Sequence, residues 1–300
     1  MADVERQLKQ YLELQLLADT TVTALAHQAG VNVSWDIATV IGRAIVEDYD
    51  DYDGFVVFHS IDNAAYIANL VAFLFEQCGK PIVFTGASPL DDLEMLPHNL
   101  SMTERSQYQQ MSLQANLLTA ILLATMDCSG VMLVYGSQVV RAVRALEHSG
   151  SPGQPFIGAH EADFAKVQFG IQLQKVPQRR RTGSPLWHDQ FVTGVMPMPL
   201  LPGLQLDQFE RLHCPAIIVT AGKEQLVGGD RRWPKDIPVV IHDTTSTVPP
   251  PALPANVWTV SGITLPALLT KTMVGLARTN DVVALRQWLM KPLHDEFFHL

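Results

Sequence analysis

The sequence predicts a doubly wound, mostly parallel α/β fold with a second, smaller α/β domain, and three stretches carry that expectation. Phe55-Val-Val-Phe58 is a continuous apolar run, expected of a central strand covered on both faces. Ala64 to Gln77 places Ile67, Leu70, Val71, Leu74 and Phe75 at helical spacing and stops at Gly79, a suitable C-terminal cap. Pro81-Ile-Val-Phe-Thr85 is a second apolar strand, which completes a β-α-β unit. Ligands of open α/β sheets collect beyond the carboxyl ends of the strands, so His59, Ser60, Ile61, Asp62, Thr85 and Gly86 are expected to line a crevice.

The alternation continues along the chain. Gln114 to Met126 reads as a helix, and Val131-Met-Leu-Val-Tyr135 as a buried strand closing on Gly136. Between Ser88 and Met111 the periodicity lapses over a length that suggests a functional loop, a lid or a mobile excursion. The larger domain is therefore expected at residues 1–177. Residues 178–203 are rich in Arg, Pro and Gly and read as a linker, with a short strand at Phe191 to Val195. Residues 204–300 form the expected smaller domain. Its strands fall at Ala216 to Val219 and Pro238 to Ile241, and its helices at Leu265 to Arg278, with Thr264 as N-cap, and at Asp281 to Leu289.

At 300 residues and 47% hydrophobic, the chain can bury a full core. Its formal net charge of -9 argues against nucleic-acid or anionic-membrane binding, for which a basic face is the expected footprint. Arg179-Arg-Arg181 is the one basic cluster, read as a solvated linker, with a phosphate or partner contact as the minority reading. Three widely spaced cysteines, Cys78, Cys128 and Cys214, indicate neither a disulfide framework nor a zinc site and suit a reducing cytoplasm. No signal-type amino terminus or membrane-spanning apolar stretch is seen, and no cofactor or metal is expected.

Tyr52-Asp-Gly-Phe-Val-Val-Phe-His-Ser-Ile-Asp-Asn63, followed after one helix by Gly79-Lys-Pro-Ile-Val-Phe-Thr-Gly-Ala87, resembles the bacterial-type L-asparaginase family, closest to its cytoplasmic branch. There the segments read Asp-Gly-Phe-Val-x-x-His-Gly-Thr-Asp-Thr and Gly-Lys-Pro-Val-x-x-Thr-Gly. Asn116-Leu-Leu-x-Ala120, Arg141-x-x-Arg144 and Gly262-Ile-Thr-Leu-Pro-Ala-Leu-Leu-Thr-Lys271 also resemble family landmarks, so that the resemblance runs from about Trp35 to the carboxyl terminus. It implies an asparaginase-like fold and hydrolysis of the asparagine side-chain amide. In the family a threonine nucleophile forms an acyl-enzyme, with a second threonine, a lysine and an aspartate around it.

The resemblance also implies losses. The family's Thr-Asp falls on Ile61-Asp62, and isoleucine offers no hydroxyl. The family's catalytic lysine falls on Glu147, an anion in place of a cation. The amino-terminal strand and its Gly-Gly-Thr-Ile turn are expected to be missing, since no Gly-Gly-Thr precedes Trp35. Asp62, which in the family grips the substrate's α-amino group, is retained, as are Thr85 and Gly86. The resemblance carries Asp62 over as the substrate-binding residue; Ser60, Thr85 and Gly86 are expected to bind beside it, and the catalytic residues stay open, with Ser60, Asp62 and Thr85 as candidates.

Other constellations are weaker. Ser60 beside His59 suggests a nucleophile and base, but neighbours in a strand point to opposite faces, so a strand-end turn is the simpler reading. Glu147 and Asp62 are a conceivable acid/base pair. His242-Asp-Thr-Thr245 faces a crevice or forms a turn, and His294-Asp-Glu-Phe-Phe-His299 reads as a solvated tail rather than a metal site. The reading these observations favour is a catalytically degenerate asparaginase relative that binds an amino acid through Asp62, or assembles as a homodimer or larger homo-oligomer, with an active paralogue or with another protein. The alternatives are an amidohydrolase with a rebuilt site and a structural subunit of a larger complex.

Overall fold

The computed structural model describes residues 16–25, 33–86, 101–102, 113–136, 138–148, 154–161, 163–167, 171–173, 178–222, 232–244 and 252–298. Most of the excursion between Ser88 and Met111, and Thr245 and His299, lie outside these residues. The chain divides into two units, Met1–Asp189 and Gln190–Leu300. The segment expected to link them is shared out: Leu186–Trp187 pairs with Phe75–Gln77 in unit 1, and Met196–Pro199 is a strand of the unit 2 sheet.

Unit 1 runs α1 (Ile37–Glu47), β1 (Phe55–Phe58), α2 (Ala64–Leu74), β2 (Phe75–Gln77), β3 (Pro81–Thr85), α3 (Leu113–Thr125), β4 (Gly130–Val134), β5 (Gln138–Arg141), β6 (Ala145–Glu147), β7 (Phe156–Gly158), β8 (Asp163–Val167), β9 (Ile171–Leu173) and β10 (Leu186–Trp187). Its main sheet has the order β1-β3-β4-β5-β8-β9. The first three strands are parallel, the arrangement expected of the β-α-β unit, and from β4 onward the pairing is antiparallel.

Among the described strands the apolar run at Phe55 is not central. Of these, β1 ends the sheet, with Phe55 to Val57 half-buried and Phe58 43% exposed, whereas all five residues of β3 are buried. An apolar run reports cover on both faces, which helices provide; it says nothing about hydrogen-bonding neighbours on both edges. Helix α2 is also shorter than the spacing predicts. Phe75 to Gln77 leave it to pair with β10, so the helix stops before Gly79. Apolar nearly all round, α2 is almost wholly buried, as such a helix must be. Its buried Asn69 donates to Ala65 O and Ala142 O, each at 2.7 Å, fixing the turn after β5 against the helix.

The basic cluster is not a solvated linker at its centre. Arg180 donates to Ala124 O at 2.7 Å and Met126 O at 2.8 Å, carbonyls at the end of α3, and pairs with Asp53 at 3.2 Å. A cation belongs there because the last carbonyls of a helix lack intrahelical donors and carry its negative pole.

Unit 2 contains β11 (Met196–Pro199), β12 (Ile217–Ala221), β13 (Val239–Asp243), β14 (Val257–Ser261), α4 (Leu265–Arg278) and α5 (Val282–Met290). Its four strands pair in sequence order, all parallel. The strand expected at Phe191 to Val195 lies at β11 instead, and β14 was not foreseen. Ile217, Val219, Val239, Ile241 and Val257 pack with Leu200 and Leu206 on one face. Thr264 caps α4 as expected, its hydroxyl accepting from Ala267 N at 3.3 Å, and Asp281 caps α5 at 2.7 Å from Ala284 N. Among the described residues no helix is long and apolar enough to cross a membrane.

Candidate functional site

The carboxyl ends of β1, β3 and β4 are laced together by four hydrogen bonds. His59 N donates to Thr85 O at 2.8 Å, and the Tyr135 hydroxyl to His59 O at 3.0 Å. Asn116, in the first turn of α3, donates to Gly86 O at 2.8 Å and accepts from Gly136 N at 2.9 Å. Three strand exits are thereby held by two side chains, Tyr135 and Asn116, both buried. In the sequence Asn116 shows only as a family-like landmark; its role as a brace depends on Gly86 and Gly136, which lie 30 and 20 residues away.

The chain leaves β1 through a single 3-10 turn, Ile61–Asn63, before α2 begins. Ser60 and Asp62 flank Ile61 there, and the Ser60 hydroxyl donates to Asp62 Oδ2 at 3.2 Å. Asp62 is exposed and Ile61 half-buried. The carboxylate thus stands outward with one orienting hydroxyl, and an aliphatic side chain occupies the position between them.

Thr85 and Gly86 fall at the expected strand end but contribute differently from the expectation. The Thr85 hydroxyl is wholly buried and donates to Val134 O at 2.7 Å, across the sheet. A Cβ on Gly86 would stand 2.1 Å from His59 O, so this position has no room for a side chain. Both serve to seat β1 against β3 and β4. Of the four nominated binding residues, the structure leaves Ser60 and Asp62 at the open end of the turn.

His59 is 8% exposed. Its Nδ1 donates to the Ser60 carbonyl at 2.7 Å, while Nε2 is buried without a hydrogen-bond partner among the described residues. The expected strand-end turn, rather than a nucleophile and base, accounts for this pair. Burial pulls the imidazole below its ordinary pKa, the bond to Ser60 opposing, and burial does the same to His242 in unit 2. Both are neutral in the folded chain. The unfolded chain takes up protons from about pH 6.5 downward, so the stability associated with these groups is complete above that pH and is lost as pH falls through the folded values. The unfolding free energy from urea titration should fall below about pH 6.5, with a slope of up to ~1.4 kcal/mol per pH unit for each histidine. His59→Gln should flatten that slope; an unchanged slope would refute the assignment.

Glu147 reaches the same end of unit 1. From Ala142, tied to Asn69, strand β6 returns along α2 toward its amino-terminal turn, where Tyr66 lies. Burial, then the Glu147 carboxylate, push the Tyr66 phenol up. Tyr66 also packs edge-on against Trp35 at 6.2 Å. An anion therefore stands near the first turn of α2, four residues on from Asp62. Among the described residues no three His, Cys, Asp or Glu side chains gather as a ligand set.

In unit 2, His242 ends β13 and is buried, its Nε2 bonded to Ile263 O at 2.8 Å, so it forms part of the strand-end packing. Gly222 ends the described part of the loop after β12; residues 223–225 lie outside it.

Residues 1–95 match the family model described as asparaginase, N-terminal. The chain is 24% identical over 277 residues to an L-asparaginase of Thermococcus kodakarensis, covering 85% of this chain and 79% of that one. A 54-residue stretch, 18% of this chain and 16% of the relative, is 46% identical to L-asparaginase 1 of Escherichia coli K12. The solved structure of a probable cytoplasmic L-asparaginase from Campylobacter jejuni superposes with a TM-score of 0.69 at 16% identity, over 97% of this chain and 91% of that one. The Thermococcus kodakarensis structure gives 0.65 at 21% identity, over 90% and 83%. The family match starts well before Trp35, which corrects the expectation that the resemblance begins there. It takes in Asp19-Thr-Thr-Val22. Leu17 and Ala18 pack with Val56 of β1 against Leu117 and Ile121 of α3, and Thr20 and Thr21 are exposed.

Proposed function

From an asparaginase amino-terminal domain over residues 1–95 and an asparaginase-like fold as premise, we propose that this protein binds an amino acid at the β1 exit through Asp62 and does not hydrolyse it. The observation that carries this reading is Ile61. An acyl-enzyme route needs a hydroxyl activated by a base within hydrogen-bond reach, because a neutral alcohol is a weak nucleophile. The turn instead presents an aliphatic side chain beside an exposed carboxylate, with Glu147 rather than a cation at the neighbouring turn of α2. Two anions favour an ammonium group and do nothing to stabilise the negative charge that develops on an amide oxygen under attack. A retained binding function is compatible with assembly into a homo-oligomer or with an active paralogue.

The test is ammonia release from L-asparagine and L-glutamine, run beside thermal shifts with asparagine, aspartate, glutamine and glutamate. The expected result is no turnover, together with a rise in melting temperature that Asp62→Ala removes. A ligand at about 100 times its Kd stabilises the folded state by about 2.7 kcal/mol, enough for a shift of several degrees. Turnover that disappears in Asp62→Ala would refute degeneracy.

The second reading, an active amidohydrolase, is favoured by Thr20 and Thr21, two exposed hydroxyls beside the packed Leu17-Ala18. Turnover abolished by Thr21→Ala or Thr20→Ala as well as by Asp62→Ala would establish it.

A further inference from the structure

Among the described residues after α5 one side chain is buried, and it is a carboxylate. After α5, residues 291–298 run without helix or strand. Lys291, Pro292 and Asp295 are exposed and their neighbours half-buried, yet Glu296 is 0% exposed. The sequence had suggested a solvated tail.

The receptor for Glu296 is Lys271 of α4, also 0% exposed. Lys271 Nζ donates to Glu296 Oε1 at 2.5 Å and to Lys291 O at 2.5 Å, and lies 4.8 Å from the centre of the Phe297 ring. Glu296 Oε2 accepts from Leu293 N at 3.1 Å and His294 N at 2.8 Å. Burial works against ionisation of Glu296, but the Lys271 ammonium and the backbone N–H of His294 outweigh it and hold the carboxyl below its usual range. Further along, Phe298 N donates to Gly262 O at 2.6 Å. Gly262 has a φ of +66°, and a Cβ there would stand 2.0 Å from Phe298 O.

Two buried charges are a costly way to join a loop to a helix, since an apolar pair of similar size often does as well or better. What the ion pair adds is selectivity: Lys271 of α4 supplies the cation and Leu293 N and His294 N of the segment itself the remaining donors, a set that matches a carboxylate. The fastening at Gly262 immediately precedes Ile263, whose carbonyl takes the bond from His242, and Thr264, which caps α4. The tail therefore holds the corner between β14 and α4 at the carboxyl end of the unit 2 sheet.

We propose that Lys271 forms a buried carboxylate-binding site that the chain fills itself, residues 291–298 acting as a strap with Glu296 as its tethered ligand, whose release frees the β14–α4 corner. The ligand class is a small carboxylate of the size of acetate or a glutamate side chain.

Hydrogen exchange on the full chain tests this. Glu296→Gln, which keeps the shape and removes the charge, should speed exchange at residues 262–264 and 291–298 by about tenfold or more while amides of β12 and β13 keep their protection, the pattern of a local opening. In Glu296→Ala, acetate at about 100 mM should restore tail protection that equimolar chloride does not, as binding linkage requires. An unchanged tail in Glu296→Gln overturns the proposal. So does loss of β12 and β13 protection together with the tail in that variant, which would make the segment part of the core. Acetate acting no differently from chloride on a folded Glu296→Ala overturns the carboxylate site. If Glu296→Ala does not fold, the same acetate and chloride comparison on Glu296→Gln decides, with absence of any acetate effect again counting against the site.

Discussion

Gly86→Ala is expected to destabilise unit 1 by about 3 kcal/mol or more and to abolish ligand binding at the β1 exit. The added methyl would lie 2.1 Å from His59 O and 3.3 Å from Tyr135 Cε1. The nearer obstacle is backbone, which cannot swing aside as a side-chain tip can. Relief requires β1 and β3 to part at their carboxyl ends, where His59 N meets Thr85 O and Tyr135 meets His59 O. Overpacking alone costs about 1–3 kcal/mol, and each weakened buried hydrogen bond adds about 1 kcal/mol. For a unit of this size the melting temperature should drop by roughly 6–12 °C. Ser60 and Asp62 follow directly from this junction, so the amino-acid-induced thermal shift should vanish with it. Asp62→Ala is the contrasting variant: it should lose the ligand shift while melting within about 2 °C of the parent, because an exposed carboxylate with one hydroxyl partner contributes little to folding. Equal melting of Gly86→Ala and the parent would show that the strand exits are not rigidly joined.

What the sequence revealed of this fold, and what it concealed, follows from the range of each signal. Helix caps and buried runs are local, so α4 with its Thr264 cap and strands β3, β4, β12 and β13 were foreseen to within a few residues. Sheet order is not local. The continuous apolar run of β1 looks the same at an edge as in the middle, and β5 joins β8 across about 25 residues of chain, a pairing that no local pattern marks. Phe75 to Gln77 continue the helical periodicity of α2 and are drawn into a strand only because Leu186 and Trp187 pair with them. At the candidate site, the strand end that carries Asp62 was legible from its motif, whereas the bond from the Thr85 hydroxyl to Val134 O on the next strand was not, because a partner 49 residues away sets it. Arg180 and Glu296 share the same lesson. Each sits in a stretch that reads as solvated, and each is fixed by backbone carbonyls or a lysine more than 20 residues away in sequence.

Lys80→Met should be the second large effect, and it separates folding from function within the most recognisable motif. Lys80 in Gly79-Lys-Pro81 lies next to the strand that ends in the candidate site, yet its ammonium points away from it. Nζ donates to the carbonyls of Tyr49 and, at 2.6 Å, Tyr52, and lies 4.6 Å from the centre of the Tyr49 ring. The Tyr49 hydroxyl in turn accepts from Gly79 N at 2.8 Å. These bonds stitch the connection between α1 and β1 to the start of β3, at the opposite end of the strands from Asp62. Methionine keeps most of the aliphatic stem and leaves two part-buried carbonyls without their charged donor. Hydrogen bonds to charged groups are worth about 1.5–3 kcal/mol each, and partial access of water to the vacated carbonyls reduces the total, so a loss of about 2–4 kcal/mol is expected in urea unfolding. Binding should follow a different course. With ligand present at temperatures where the variant remains folded, Asp62-dependent affinity should stay within about threefold of the parent, because no group at the β1 exit has been touched. A variant that kept full stability but lost binding would move Lys80 from the scaffold into the site. That outcome would also reverse the reading of the whole Gly-Lys-Pro motif, which the geometry presents as a structural joint between α1, β1 and β3.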